Sequence, residues 1–372
     1  MKVALLHDYL NQYGGAERVL LELTKIFPQA MVHTLLHDPE ITGSDLANRV
    51  FLANGRASVL DFSFVRSHHR LFIPLMPYVA RRMPLNQDID LLISDSAGFA
   101  KGIGFRTESN LNRRPFHILY CHTPLRYAWE SKSYFSNRFF TSVFAPAFNF
   151  LREWDFAMAQ RPNVILANSN FIANKIRDYY RRDAAVVYPP YDPSRFYLDT
   201  TISRGDYFLA AGRLLAYKRF DLVLRAFELL PFPLVIAGAG PELVRLQKIA
   251  RFNLRVRFVI SPDDDALRKL YAGARALIFP NVEDFGLIPV EANACGTPVL
   301  AFAGGGALET INSGRNGLFF KEQTVKCLAQ AVRDIARIEF LSGDIAQTVR
   351  HFTPVRFNSD FLAHLPTDLR SC

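Results

Sequence analysis

The sequence predicts an α/β protein built from two doubly wound domains. Short apolar runs alternate with helical patterns along the whole chain, the order that parallel sheets wrapped by helices require. These runs are continuous rather than alternating, which marks strands covered on both faces. The 372 residues are 49% hydrophobic and 21% charged, enough for two large cores and incompatible with a disordered chain.

Strands are expected at residues 3–6, 31–35, 91–94, 117–120 and 164–167, and then at 207–211, 234–237, 256–260, 276–279 and 299–302. Between the first two, residues 16–26 place Val19, Leu20, Leu23 and Ile26 on one helical stripe. The stretch YPPYDPSRFYLDTTISRGD (188–206) has three prolines, then Ser, Thr, Arg and Gly, and neither period. It divides the chain into a domain at 1–190, a linker at about 190–205 and a domain at 205–350.

Several function classes are excluded or weakened. Cys121, Cys295, Cys327 and Cys372 are far apart, so neither a disulfide framework nor a zinc ribbon is expected, and a cytoplasmic location fits. The amino-terminal apolar run is broken by Asp8 and is too short for a signal peptide. The apolar runs at 71–80 and 139–151 are short and contain proline, well under the roughly 20 residues of a membrane span. The net charge of +9 suggests nucleic acid, but no basic stripe or recognition motif accompanies it. Gly238-Ala239-Gly240 follows a strand like a dinucleotide fingerprint, yet the third glycine would fall at Leu243. The Asp263–Asp265 run suits a helix start better than a metal site, and no metal is expected at Asp88 and Asp90 either.

The segment NVEDFGLIPVEANACGTPVLAFAGGGALETI (281–311) carries the most chemistry. Glu283 falls in the loop after a strand and Glu291, eight residues on, in the helix expected at 287–294. Phe285, Gly286 and Leu287 bring backbone N–H groups at that helix start toward an anion, and Gly286 permits close approach. A carboxylate inside the helix can accept both hydroxyls of a ribose, and one in the loop can hold sugar hydroxyls. A second loop, Gly304-Gly305-Gly306, follows the next strand. In AAGRLLAYKRFDL (210–222), Arg213 and Lys218 follow the first strand of the second domain; the pair can clamp a diphosphate, or form an ordinary basic surface. Gly14-Gly15 lie between the first strand and its helix, where a phosphate or simply a tight turn would use them. His122 follows a strand in YCHTPLRYAWE and is either a donor to a sugar or a structural histidine.

On HDYLNQYGGAERVL, HTPLRYAWE, ANSNFIANKI, VVYPPYDPSRF, GRLLAYKRFDL and EDFGLIPVEANACGTPV the sequence resembles glycosyltransferase family 4, retaining enzymes of the GT-B fold, over most of its length. Within that family it is similar to bacterial mannosyltransferases of O-antigen and exopolysaccharide assembly. The resemblance implies two Rossmann-like domains facing a central cleft, the first binding the acceptor and the second the nucleotide-sugar. It implies Glu291 on the ribose, Arg213 and Lys218 on the diphosphate, and Glu283 with the backbone of Phe285, Gly286 and Leu287 on the donor sugar. It implies that Gly15 approaches the diphosphate, that His122 contacts the transferred sugar, and that residues 351–372 return to the first domain as a helix. It further implies mannose transfer from GDP-mannose to a lipid-linked saccharide, with no metal and no bound cofactor. A UDP-sugar transferase of the same fold and a dinucleotide oxidoreductase are the alternatives. Residues 49–82 hold six arginines against Asp61 alone, interleaved with Phe62, Phe64, Leu71, Phe72, Ile73, Leu75, Met76 and Tyr78. That segment is expected either to face the cytoplasmic membrane surface or to be core aromatics with solvated arginines.

Overall fold

A computed structural model describes residues 1–85, 88–104, 114–130 and 145–370. Residues 139–144 of one apolar run, and Cys372, lie outside these. The chain divides into two compact units, Met1–Tyr188 with Phe357–Cys372, and Pro189–Arg356.

The first unit is a six-stranded parallel sheet in the order β2-β1-β3-β4-β5-β6. Its strands are β1 (Val3–Leu10), β2 (Met31–His37), β3 (Leu91–Ser96), β4 (Phe116–Cys121), β5 (Val164–Ala167) and β6 (Ala185–Val186). The first four run past their expected carboxyl ends. The extra residues include His7, Asp8, Asp95 and Ser96, polar groups that periodicity does not count as strand but that are buried here. The helix Gly15–Ile26 covers one face with Val19, Leu20 and Leu23, all fully buried. From the carboxyl end, the helix Pro354–Leu362 sends Phe357 and Phe361 into the same core, where the Phe361 ring meets Phe27 at 6.3 Å. Burial of such a ring stabilises by roughly 1.5–3 kcal/mol.

The second unit repeats the plan in the order β12-β11-β10-β7-β8-β9, with β7 (Phe208–Ala211), β8 (Leu234–Ala237), β9 (Val256–Val259), β10 (Ala276–Phe279), β11 (Val299–Phe302) and β12 (Gly317–Phe320). β6 and β12 were not expected. The first is two residues long, and the second opens on a glycine after a turn.

The segment at 190–205 corrects the expectation of a linker. It is irregular but belongs to the second unit, where Phe196 is fully buried against Tyr271 at 5.8 Å. Arg268 binds Asp199 at 2.8 Å, and Arg204 donates to the carbonyls of Phe340 and Gly296. Proline-rich sequence here reflects irregular packed backbone whose bonds are made by side chains. Residues 351–356, expected in the return to the first domain, also stay in the second unit: Phe352 packs on Phe285 at 5.3 Å and accepts from the Tyr191 N–H.

Each sheet reverses its winding once. In the first the reversal lies between β1 and β3, in the second between β7 and β10. Loops leaving the carboxyl ends of such neighbouring strands diverge and open a crevice, where doubly wound sheets bind ligands.

Candidate active site

In the second unit the loops at this reversal are Gly212–Lys218 after β7 and 280–286 after β10. The chain after β7 turns at Gly212, whose φ of +131° lies in the left-handed half of the map, and enters a 3-10 turn at Ala216–Lys218. This leaves Arg213 exposed and draws Lys218 into the protein, 9% exposed. The Lys218 Nζ is ion-paired with Glu283 Oε1, and the same oxygen accepts from Asn281 Nδ2 at 2.8 Å. The two residues assigned to diphosphate and sugar are thus brought together, and each satisfies the other's charge.

The helix Leu287–Ala294 begins directly after Gly286, whose φ is +90° and which supplies no side-chain cap. Its first-turn N–H groups therefore keep their capacity for an anion. Phe285 is buried, so its side chain belongs to the packing of this loop. Glu291 is 3% exposed, and the Tyr271 hydroxyl donates to its Oε2 at 3.5 Å. Burial, with the Glu291 charge beside it, pushes the Cys295 thiol up to about 12, so this cysteine remains a neutral packing group.

The glycines of these loops serve close packing. A Cβ on Gly306 would sit 2.3 Å from Phe285 Cα, and one on Gly305 would sit 2.3 Å from the Glu283 carbonyl oxygen. The Gly306 N–H donates to that carbonyl at 2.9 Å, so Gly304–Gly306 braces the Glu283 loop from behind. Gly238 and Gly240 lie against the Gly212 and Leu214 carbonyls in the same way, and Leu214 N–H donates to Ala239. Their spacing follows from loop contact, which accounts for the missing third glycine at Leu243. Asp263 caps the helix Asp264–Ala272 by accepting from the Ala266 N–H, while Asp264 pairs with Arg195 and Asp265 with Arg268 and Lys269. Among the described residues no group of three or more His, Cys, Asp or Glu side chains is placed to hold a metal ion.

In the first unit Gly14 precedes the helix Gly15–Ile26, and its own N–H donates to Glu17 Oε2 at 2.7 Å. Gly14 therefore does not offer that amide to a phosphate; a Cβ there would approach Glu17 to 3.2 Å. Gly15 is exposed as the first helical residue. His122 follows β4, half-buried, with Nε2 at 2.6 Å from Asp95 Oδ1. The other oxygen of Asp95 meets His7 Nδ1 at 2.8 Å, and His7 Nε2 faces Glu17 Oε1 at 3.7 Å. Burial alone would lower the His7 pKa, but Asp95 and Glu17 raise it to about 10, so the ring is an imidazolium at neutral pH. Burial works to raise both carboxyls; His122 and His7 nevertheless hold Asp95 low, and His7 with backbone N–H groups holds Glu17 low. Sequence reasoning missed His7, Asp95 and Glu17. Polar residues at the carboxyl ends of two otherwise apolar strands were the available signal.

The Glycosyltransferase Family 4 profile matches residues 13–195 and the Glycosyl transferases group 1 profile matches residues 200–351. The D-inositol 3-phosphate glycosyltransferase of Mycobacterium tuberculosis is 34% identical over 137 residues, 34% of this chain and 28% of that protein's length. The chain thus spans little more than a quarter of the curated relatives it matches. Among solved structures, Anabaena HepE in complex with UDP is similar with a TM-score of 0.73 at 18% identity over 100% of both chains. Sucrose-phosphate synthase from Thermosynechococcus elongatus is similar with a TM-score of 0.73 at 16% identity over 97% of each. The two parallel sheets and these neighbours make the fold GT-B. With the two profiles matched end to end, nearly the whole chain is accounted for, and the protein belongs to the glycosyltransferase family 4 type.

Proposed function

We propose that this protein transfers a glycosyl residue from a nucleoside-diphosphate sugar to a saccharide acceptor. The observation that carries the proposal is the convergence of Lys218, Glu283 and the Leu287 helix start at the reversal of the second sheet, with Glu291 on that helix. Negative charge grows on the leaving diphosphate as the glycosidic bond breaks. Arg213, Lys218 and the helix N–H groups stabilise it there, which lowers the barrier more than it tightens ground-state binding. Glu291 holds the ribose, Glu283 the donor sugar, Gly15 the diphosphate, and His122 the transferred sugar. Departure of the phosphate on the face the acceptor enters gives retention, with that phosphate taking the acceptor proton.

The similarity to bacterial mannosyltransferases favours GDP-mannose as donor and a lipid-linked saccharide of surface-polysaccharide assembly as acceptor. The protein would then work in the cytoplasm, on the inner face of the membrane. A UDP-sugar is the second reading, favoured by the complex of HepE with UDP. A screen of donor hydrolysis with GDP-mannose, UDP-glucose and UDP-N-acetylglucosamine separates the two, and NMR of the product reads the linkage. Turnover of none of these donors would reject the proposal. In this reading the cations take the role of a metal, so excess chelator leaves activity intact; a Mg²⁺-reversible loss would overturn that part.

A further inference from the structure

We propose that Asp95 and His7 are positioning residues that fix the tautomer and orientation of His122, and that the same buried network sets the Gly14 turn through Glu17. The inference rests on the glycosyltransferase reading for its kinetic part only. His7 and Asp95 are register partners on β1 and β3, the strands that flank the reversal of the first sheet. Register partners place their side chains on one face, so the imidazole and the carboxylate must meet there. Asp95 is fully buried, His7 is 2% exposed and Glu17 is 2% exposed. Such groups persist only when paired.

The chemistry of Asp95 decides the tautomers. An ionised carboxylate only accepts, so each nitrogen facing it must carry a proton. His7 Nδ1 lies 2.8 Å from one oxygen and His122 Nε2 lies 2.6 Å from the other. His122 is therefore an Nε2–H donor to Asp95, and Nδ1 is the nitrogen left for a sugar hydroxyl. Asn168 Nδ2 donates to the His122 carbonyl at 3.0 Å, which fixes the backbone beneath the ring. His122 on one side and the His7 imidazolium behind together hold the Asp95 carboxylate ionised against its burial. His7 is in turn faced by Glu17, which accepts from the Gly14 N–H at 2.7 Å and from Gln12 Nε2 at 3.4 Å. One chain of charge thus runs from the His122 ring to the turn ahead of the first helix.

Asp95→Asn is the test. An amide presents one acceptor and one donor, so it cannot accept from both imidazoles. In ¹⁵N-resolved NMR of the full chain at about pH 8.5, where a free imidazole is neutral, the wild type should show His122 protonated at Nε2. In the variant the His122 Nε2–H resonance should move away from its strongly hydrogen-bonded position, because the ring loses its charged acceptor. This readout needs no substrate, so it stands even if the enzymatic reading fails. With whichever of GDP-mannose or UDP-glucose is turned over, Asp95→Asn should lower kcat roughly 10- to 100-fold with less than about a threefold change in KM for the donor, the scale of one charge-assisted hydrogen bond. In a His122→Ala background the same substitution should cost almost nothing more, because Asp95 acts through His122. If Asp95→Asn does not fold, His7→Gln is the second variant. It keeps a donor toward Asp95 but removes the charge, and should weaken the His122 Nε2–H signature in the same sense. An unchanged His122 signature in a folded variant, or additive losses in the double variant, would overturn the proposal.

Discussion

Glu291 lies 3% exposed on a helix whose other residues, Asn293 apart, are apolar, which is a costly place for a carboxylate. Replacing it with alanine should weaken nucleotide binding by roughly 1.5–3 kcal/mol, the value of hydrogen bonds to a charged acceptor. Calorimetry with the folded variant measures this, and unchanged affinity would remove Glu291 from the ribose. Lys218 and Glu283 call for a paired experiment, because each holds the other. Lys218→Ala should reduce turnover by roughly a hundredfold, the cost of losing one group aimed at developing charge. Glu283→Gln should also reduce turnover, yet bind the sugar-free nucleoside diphosphate more tightly by roughly a factor of two to five, since Lys218 no longer has a competing anion. Weaker nucleotide binding in Glu283→Gln would show that the pair does not compete with the diphosphate. His7 links the site to stability. Its pKa is raised in the folded protein from 6.5 to about 10, so its stabilisation is complete below pH 6.5 and is lost as pH rises toward 10. Asp95 and Glu17, held low, act in the opposite sense and lose theirs as pH falls through the carboxylate range. Thermal melts between pH 6.5 and 10 should therefore decline more steeply in the wild type than in His7→Gln; parallel curves would contradict the pairing.

Loops at the carboxyl ends of the strands hold one another by glycine contacts, and this is where local substitutions should be most costly. A methyl group on Gly306 would collide with the Phe285 backbone, so Gly306→Ala must shift the Glu283 loop. Such overpacking costs roughly 1–3 kcal/mol, and nucleotide affinity should fall with it. Gly343 is the matched control. It lies in the helix Ser342–Gln347, and an added Cβ meets nothing within 4 Å. Gly343→Ala should be neutral or stabilising by up to about 1 kcal/mol. Equal melting shifts in the two variants would show that the bracing loop carries no load.

Across the whole molecule the segment at 49–82 forms short helices, Ser63–Ser67 and Met76–Arg82, joined by the 3-10 turn His69–Leu75. Its apolar side chains divide between core and surface. Val65, Ile73, Met76 and Val79 are core, while Phe62, Phe64, Leu71, Leu75 and Tyr78 are exposed. Arg70, Arg81 and Arg82 are exposed beside them, and Arg82 lies over the Tyr78 ring at 3.5 Å. Arg66 differs, being bound to buried Asp61 at 2.7 Å, and is best left in place. No helix among the described residues is long and apolar enough to cross a membrane. Exposed aromatics with arginines near them in sequence would be attracted to an anionic bilayer surface, at about 1 kcal/mol per cation and screened by salt. Replacing Arg70, Arg81 and Arg82 with serine should reduce sedimentation with anionic vesicles at low salt and leave nucleotide affinity unchanged. Sedimentation equal to the parent at every salt concentration would make this an ordinary solvated face.

Continuous apolar runs determined ten of the twelve strands among the described residues, and the placement of Glu283, Gly286 and Glu291 around one helix start was legible from spacing alone. Both signals are local: burial on two faces needs unbroken apolar sequence, and a helix start needs only its own few residues. What the tertiary structure decided depends on neighbours distant in the chain. His7 and Asp95 are 88 residues apart and meet only because β1 lies beside β3. Lys218 finds Glu283 only because β7 lies beside β10. Strand order is set by how helices cover a sheet rather than by any short segment. A polar residue at the end of an apolar run therefore shows its purpose only when the strand beside it is known.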